Sequence, residues 1–156
     1  MTEPRARTIN VLLVEDDPGD VLITREVFEE HLHNRLDVAA DGVVALAYLR
    51  HEQPYADVPT PDLILLDLNL PRRDGREVLA EVKNDPALSH IPVIVLTTSR
   101  AEEDVLRSYQ LHANAYVTKP VDFDNFIAAI KHINHFFVSV VQLPSNGSAR
   151  SQISAD

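Results

Sequence analysis

The chain has 156 residues, 45% of them hydrophobic, a formal net charge of -10 and no cysteine. That length builds one sizeable core rather than two ordinary domains; the acidic balance excludes a broad nucleic-acid or anionic-membrane surface, and disulfide and thiolate chemistry are excluded outright. The opening MTEPRART lacks the apolar run of a signal peptide, and no stretch nears the roughly 20 apolar residues of a membrane helix, so a soluble cytoplasmic protein with a flexible start over residues 1–8 is expected.

Asn10 to Val14 reads as the first strand, apolar after its first residue and ending in Glu15, Asp16 and Asp17. Asp17 before Pro18 is the pattern of a helix N-cap, with Asp20 three residues on, and Val21, Phe28 and Leu32 fall on one helical face. A second strand over Leu36 to Ala39 leads through Asp41-Gly42 to a helix that turns Ala45, Tyr48 and Leu49 inward and breaks down in the proline-bearing loop Gln53 to Pro61. The third strand, Asp62 to Leu66, is apolar after its first residue, as expected of a strand covered on both faces of a parallel sheet.

Pro71 stops that strand, Arg72 to Gly75 make a turn, and Val78, Leu79 and Val82 mark a third helix closed by Asn84-Asp85-Pro86. Arg72 and Arg73 are either solvated turn residues or a docking contact for a partner. Pro92 to Leu96 is the fourth strand. Ser99 with Glu102 forms a capping-box signature for a fourth helix to about Leu111, with Val105 and Tyr109 inward. Ala115 to Thr118 is the fifth strand, and Asp122 caps a long last helix.

Five strand-helix units in series, without repeat or linker, predict an α/β fold with one doubly wound five-stranded parallel sheet. The flavodoxin-like order 2-1-3-4-5 opens a crevice between strands one and three at their carboxyl ends, where ligands bind. Glu15, Asp16, Asp67, Thr97 and Lys119 all end or follow strands at that rim. They comprise acids, a hydroxyl and an ammonium, the groups needed to hold a divalent ion and a phosphoryl group. Asp67 alone would be a loop-initiating residue; in company with Lys119 and Thr97 it reads as a nucleophile.

The set VEDD, LLDLNLP, LTTS and TKP, in that order and spacing, resembles the receiver domain of bacterial two-component response regulators over roughly Asn10 to Ile133. A receiver is itself a type example of the 2-1-3-4-5 order, so the two readings are not independent. The run DLNLPRRDGREVLAEVK and the tail ending FFVSVVQLP are similar to the stand-alone regulators of bacterial phytochromes. The resemblance implies that Asp67 is the phosphoacceptor, served by a sensor histidine kinase of which a bacteriophytochrome is one. It also implies that Asp16, Asp67 and the backbone carbonyl of Asn69 hold Mg²⁺, with Glu15 acting through water. Thr97 matches the family's hydroxyl residue, Lys119 its lysine and Tyr116 its aromatic switch residue. Thr98 takes a position that is usually small and would tune access to the phosphate. A cis Lys119-Pro120 bond is implied as well. Signalling would run through the face made by the fourth helix, fifth strand and last helix.

Two rivals remain at this stage. A Mg²⁺-dependent phosphatase with an aspartate nucleophile needs a second acid two residues on, where this chain has Asn69. A receiver that works as a scaffold without phosphate would keep the fold but not the chemistry. Among the seven histidines, His132 and His135 stand three apart on a helix with no acid joining them, as surface residues do.

The last helix departs from a minimal receiver. Phe123, Phe126, Ile130, Ile133, Phe137 and Val140 alternate at three and four, a heptad-like seam, while Ile127, Phe136, Val138 and Val141 widen the apolar surface. A large exposed apolar patch is uncommon on a monomer, so a homodimer through Phe136, Phe137, Val140, Val141 and Leu143 is expected. The expected organisation is a receiver domain over residues 9–143 and a disordered tail over 144–156.

Overall fold

In the computed structural model, the described residues are 9–31, 34–70, 72, 74–98 and 113–131. They form five parallel strands: β1 (Ile9–Val14), β2 (Asn34–Ala39), β3 (Leu63–Asp67), β4 (Val93–Thr97) and β5 (Ala115–Thr118). Four helices are described, α1 (Pro18–His31), α2 (Gly42–Leu49), α3 (Gly75–Asn84) and α4 (Phe123–Lys131). The sheet order is β2-β1-β3-β4-β5, every pairing parallel, as the alternation of elements requires.

Alternation along the strands divides the core in two. Val11, Leu13, Leu63, Leu65, Ile94, Leu96 and Val117 pack with Phe28 of α1 and with Phe126 and Ile127 of α4. Leu12, Val14, Ile64, Leu66, Val93 and Val95 pack with Ala45, Leu46 and Leu49 of α2 and with Val78, Leu79 and Val82 of α3. The Phe28 and Phe126 rings lie 4.7 Å apart at a tilt of 57°, tying the helices of one layer together. The central strands β1, β3 and β4 are thus buried on both faces, which explains why they read as nearly unbroken apolar runs.

Strand ends differ from the expected bounds by one residue where it matters. Asp62 does not begin β3: its carboxylate accepts from the Asn10 amide at 2.9 Å and its own amide donates to the Asn10 carbonyl. Asp67 instead becomes the last residue of β3, paired with Leu96. Pro92 lacks an N–H and offers only its carbonyl, to Ile64, so β4 starts at Val93 and ends at Thr97.

The expected caps at Asp17 and Asp122 are formed, accepting from the amides of Gly19 (3.1 Å) and Asn125 (2.8 Å), and Asp41 also caps α2 by accepting from Val44 (2.9 Å). A further capping box, Asp74 with Glu77, starts α3 and was not anticipated. At α1 the outcome is reversed: the Asp17 amide donates to Glu15 Oε2 at 3.2 Å, and Asp20 is directed elsewhere.

The Lys119-Pro120 bond is cis as expected, and so is Gln53-Pro54. Among the described residues, no helix is long and apolar enough to cross a membrane. Leu32, Arg73, the expected fourth helix from Ser99 with Val105 and Tyr109, and Ile133 lie outside the described residues. So do His132, His135, the expected dimer residues Phe136, Phe137, Val140, Val141 and Leu143, and residues 1–8 and 144–156.

Candidate functional site

Strand β1 runs beside β3 and β3 beside β4, so residues at their carboxyl ends meet. Glu15 follows β1 with its amide bonded to the Ala39 carbonyl at 3.0 Å, which continues the β1–β2 ladder by one step and turns its side chain inward. Lys119 likewise extends the β5–β4 ladder through its amide to the Thr97 carbonyl at 2.8 Å. Backbone pairing, rather than loop conformation, therefore positions the acid and the base.

The Lys119 ammonium stands among three carboxylates. Its Nζ lies 3.0 Å from Asp20 Oδ2, 3.1 Å from Glu15 Oε1 and 3.3 Å from Asp67 Oδ2. Burial opposes its charge, but the hydrogen bond to Asp20 and the charges of Asp67 and Glu15 outweigh it and hold the lysine above its ordinary range.

Glu15 and Asp67 are both buried, 1% and 3% exposed. Burial of Glu15, reinforced by the hydrogen bond and charge of Asp67, pushes its carboxyl up to about 7. Two acids so close favour a shared proton or a cation between them. Oxygens of Glu15, Asp16 and Asp67 all lie within 4.8 Å of one another, with Asp16 on the exposed rim; among the described residues this is the one such acidic group. All three offer hard oxygen donors, and their mutual repulsion is relieved by a small divalent ion, so the set fits a metal of the Mg²⁺, Mn²⁺ or Ca²⁺ kind.

Thr97 ends β4 beside Lys119, whose amide its carbonyl accepts. It is fully buried, and its Oγ1 has no hydrogen-bond partner. A buried hydroxyl without a protein partner is rare, and it leaves a donor free for a water, an ion or a phosphoryl oxygen. Thr98, next along, is exposed. Tyr116, in register with Val95 on β5, is half-buried against the α2–α3 side of the core.

The loop after β3 is held tightly. The Asn69 amide donates to Asp67 Oδ1 at 3.2 Å, fixing the carboxylate's rotation, while the Asn69 side of the loop is exposed. Gly75 opens α3 against this loop, its amide bonded to Leu68 O at 3.0 Å. A Cβ there would stand 2.3 Å from Asp67 O and 2.6 Å from Leu68 Cα. Only glycine permits that approach. Arg72, with φ 63, reaches across to Asp41 with Nε 2.9 Å from Oδ2 and Nη2 3.1 Å from Oδ1. It is a turn residue, its side chain 57% exposed, that also ties the β3–α3 loop to the start of α2.

Of the residues expected from sequence, Glu15, Asp16, Asp67 and Lys119 come together, Thr97 joins them through its backbone bond to Lys119, Asn69 touches Asp67 through its amide, and Tyr116 packs on the α2–α3 side of the core. Two participants went unread. Asp20 looked like a capping residue because its spacing from Asp17 is that of a capping box; nothing local signals a lysine 99 positions away. Gly75 carried a usable signal, a lone glycine eight residues after a strand-end acid, but was read as a turn.

The sequence profile of the response regulator receiver domain matches residues 11–131. Response regulator Rcp1 of Synechocystis sp. is 45% identical over 136 residues, 86% of this chain and 92% of Rcp1. The Mn²⁺-bound form of Rcp1 superposes with a TM-score of 0.68 at 44% identity, covering 88% of this chain and 99% of that one. The bacteriophytochrome response regulator AtBRR gives a TM-score of 0.78 at 45% identity over 82% of this chain and 94% of its own. The phosphorylated cyanobacterial phytochrome response regulator RcpA gives 0.68 at 46% identity, over 89% and 100%.

Proposed function

The chain belongs to the response regulator receiver domain family, and we propose that it accepts a phosphoryl group on Asp67 from a sensor histidine kinase, with a bacteriophytochrome as the first sensor to test. The observation that carries this is the Lys119 ammonium 3.3 Å from Asp67 Oδ2, beside a β4 end whose buried Thr97 hydroxyl has no partner among the described residues. A purely structural ion pair leaves that hydroxyl unexplained.

Mg²⁺ would be held by Asp16, Asp67 and the Asn69 backbone carbonyl, with Glu15 acting through water, and when bound it supplies positive charge beside the transferred oxygens. The placement of Glu15 supports its indirect role, since Oε1 already accepts from Lys119 and Oε2 from the Asp17 amide. An Asp67 oxygen attacks the phosphorus of a kinase phosphohistidine; the P–N bond breaks, its electron pair leaves with the imidazole, and an acyl phosphate forms. Lys119 neutralises charge on the moving oxygens from the side of β5. Water later hydrolyses the acyl phosphate, an intrinsic autophosphatase step.

Once a phosphoryl oxygen is present, the Thr97 hydroxyl gains an acceptor and shifts toward it. Tyr116 follows into the space vacated, reshaping the face that includes β5 and α4. Moving such an equilibrium from 1:99 to 99:1 takes about 5.5 kcal/mol, within reach of several charge-assisted contacts. The output is a protein contact or onward relay of phosphate by a cytoplasmic receiver spanning residues 9–143, paired as a homodimer through Phe136, Phe137, Val140, Val141 and Leu143, with 144–156 as a tail.

Incubation with a small radiolabelled phosphodonor and Mg²⁺ is expected to give one label per chain, absent in Asp67→Asn. Label surviving that substitution, or steady turnover of phosphate esters, refutes the reading. Transfer from a panel of purified histidine kinases, phytochromes first, identifies the donor.

A further inference from the structure

Asp20 occupies the first turn of α1, where an acid is ordinarily accounted for by the helix dipole or by a cap. A cap does not account for this one, and the dipole does not account for its contact with Lys119. The cap is Asp17, which takes the Gly19 amide, and the Asp17 amide is taken by Glu15 Oε2. Asp20 Oδ2 instead makes the shortest of the three Lys119 contacts, at 3.0 Å against 3.1 Å for Glu15 and 3.3 Å for Asp67. Its carboxylate is outside the acidic group that could hold a metal, which comprises Glu15, Asp16 and Asp67.

An ammonium has three N–H donors and no more. Here three different carboxylates, from α1, from the end of β1 and from the end of β3, stand ready to take one each. Three acceptors fix both the position of Nζ and its rotation, and a lysine chain with four rotatable bonds has no other constraint at its tip. Lys119 is also mostly shielded, its side chain 14% exposed, and Asp20 is the most open of its three partners at 25%, against 1% for Glu15 and 5% for Asp67.

We propose that Asp20 is a positioning residue for phosphoryl transfer: it holds the outer side of Lys119 so that the ammonium presents a single N–H to Asp67 and to the phosphoryl group arriving there. The inference rests on the phosphoacceptor reading of Asp67 but concerns a residue that reading does not use. Without Asp20 the lysine tip can swing toward solvent, and the charge that meets the phosphoryl oxygens must be re-ordered at each transfer. Asp20 stands outside the acidic group that could hold a metal, so its loss is expected to act on the rate through Lys119.

The test compares the full-length wild type with Asp20→Ala, Asp20→Asn and Asp20→Glu by two measurements. The first is the Lys119 side-chain ammonium signal in ¹⁵N NMR, visible only while its protons are hydrogen-bonded and exchange slowly, assigned by its loss in Lys119→Arg. The second is the maximal rate of Asp67 labelling by a small phosphodonor at saturating Mg²⁺, with the Mg²⁺ half-saturation recorded alongside. In Asp20→Ala the ammonium signal is expected to vanish and the maximal rate to fall about ten-fold, equivalent to about 1.4 kcal/mol of barrier, with Mg²⁺ half-saturation within two-fold of wild type. Asp20→Asn keeps an acceptor and falls between, while Asp20→Glu regains both signal and rate. An unchanged signal and rate in Asp20→Ala overturn the proposal, and so does a weakened Mg²⁺ response that accounts for the whole loss of rate. If the wild type takes no label yet Asp20→Ala loses the ammonium signal, Asp20 anchors the lysine and the phosphoacceptor reading is what fails.

Discussion

Thr97→Val probes the switch where its cost is visible. The Thr97 hydroxyl is buried at 0% exposure and makes no hydrogen bond to the described residues, so replacing it forfeits no protein hydrogen bond. Leaving such a group unpaired costs about 1–3 kcal/mol, and replacing it by an apolar group of the same shape removes that cost. Valine keeps the branched outline and the β propensity that suit the end of β4. The unphosphorylated variant should therefore be more stable than wild type by about 1–2 kcal/mol. The same substitution deletes the donor that a phosphoryl oxygen would meet, so the additional stability that phosphorylation or a phosphoryl mimic confers should shrink by about 1.5–3 kcal/mol, the worth of one hydrogen bond to a charged group. Urea unfolding of wild type and variant, each with and without the mimic and Mg²⁺, gives both quantities from one set of curves with shared slopes. A variant destabilised by more than 1 kcal/mol in the resting state, or one whose response to the mimic equals that of wild type, would show that the hydroxyl is satisfied at rest or idle afterwards, and the argument would fall.

Gly75→Ala should destabilise by about 1–3 kcal/mol and slow Asp67 labelling, because a Cβ 2.3 Å from Asp67 O forces α3 away from the β3 loop by roughly 1 Å; urea unfolding and labelling kinetics check this, and wild-type values in both would refute it. Glu15 binds its proton more tightly folded than unfolded, its pKa pushed from 4.5 up to about 7, so in chelator the stabilisation present below pH 4.5 is lost as pH rises through 7. The loss is on the order of 3 kcal/mol, and saturating Mg²⁺ should reverse it above pH 7; a flat profile in chelator across that window contradicts the burial argument. Asp41→Ala removes both the α2 cap and the Arg72 pair and should cost about 1–2 kcal/mol, nearly all of it from the cap. Arg72→Ala should cost well under 1 kcal/mol in the same unfolding assay, since the pair is open to solvent; equal losses in the two variants would assign the energy to the ion pair instead.

What the sequence determined alone was the order of elements and the composition of the rim. Apolar runs of strand length, alternating with amphipathic helices behind Asp17, Asp41 and Asp122, leave few alternatives to a parallel sheet covered on both sides, and each strand's polar ending is printed directly after its apolar run. The site residues Glu15, Asp16, Asp67, Thr97 and Lys119 were legible because strand-end position is a local property, and a known sheet order turns it into proximity. Asp20, Gly75 and the Arg72–Asp41 tie were not, for a shared physical reason. Each depends on a contact whose partner lies far along the chain or on a distance of closest approach, and local pattern gives Asp20 and Arg72 their commonest uses, a cap and a solvated turn. Tertiary structure also decided which carboxylate is buried: Glu15 and Asp16 are neighbours of like charge, and the Glu15 amide bond to Ala39, which continues the β1–β2 ladder, sends the first to Lys119 and leaves the second at the rim.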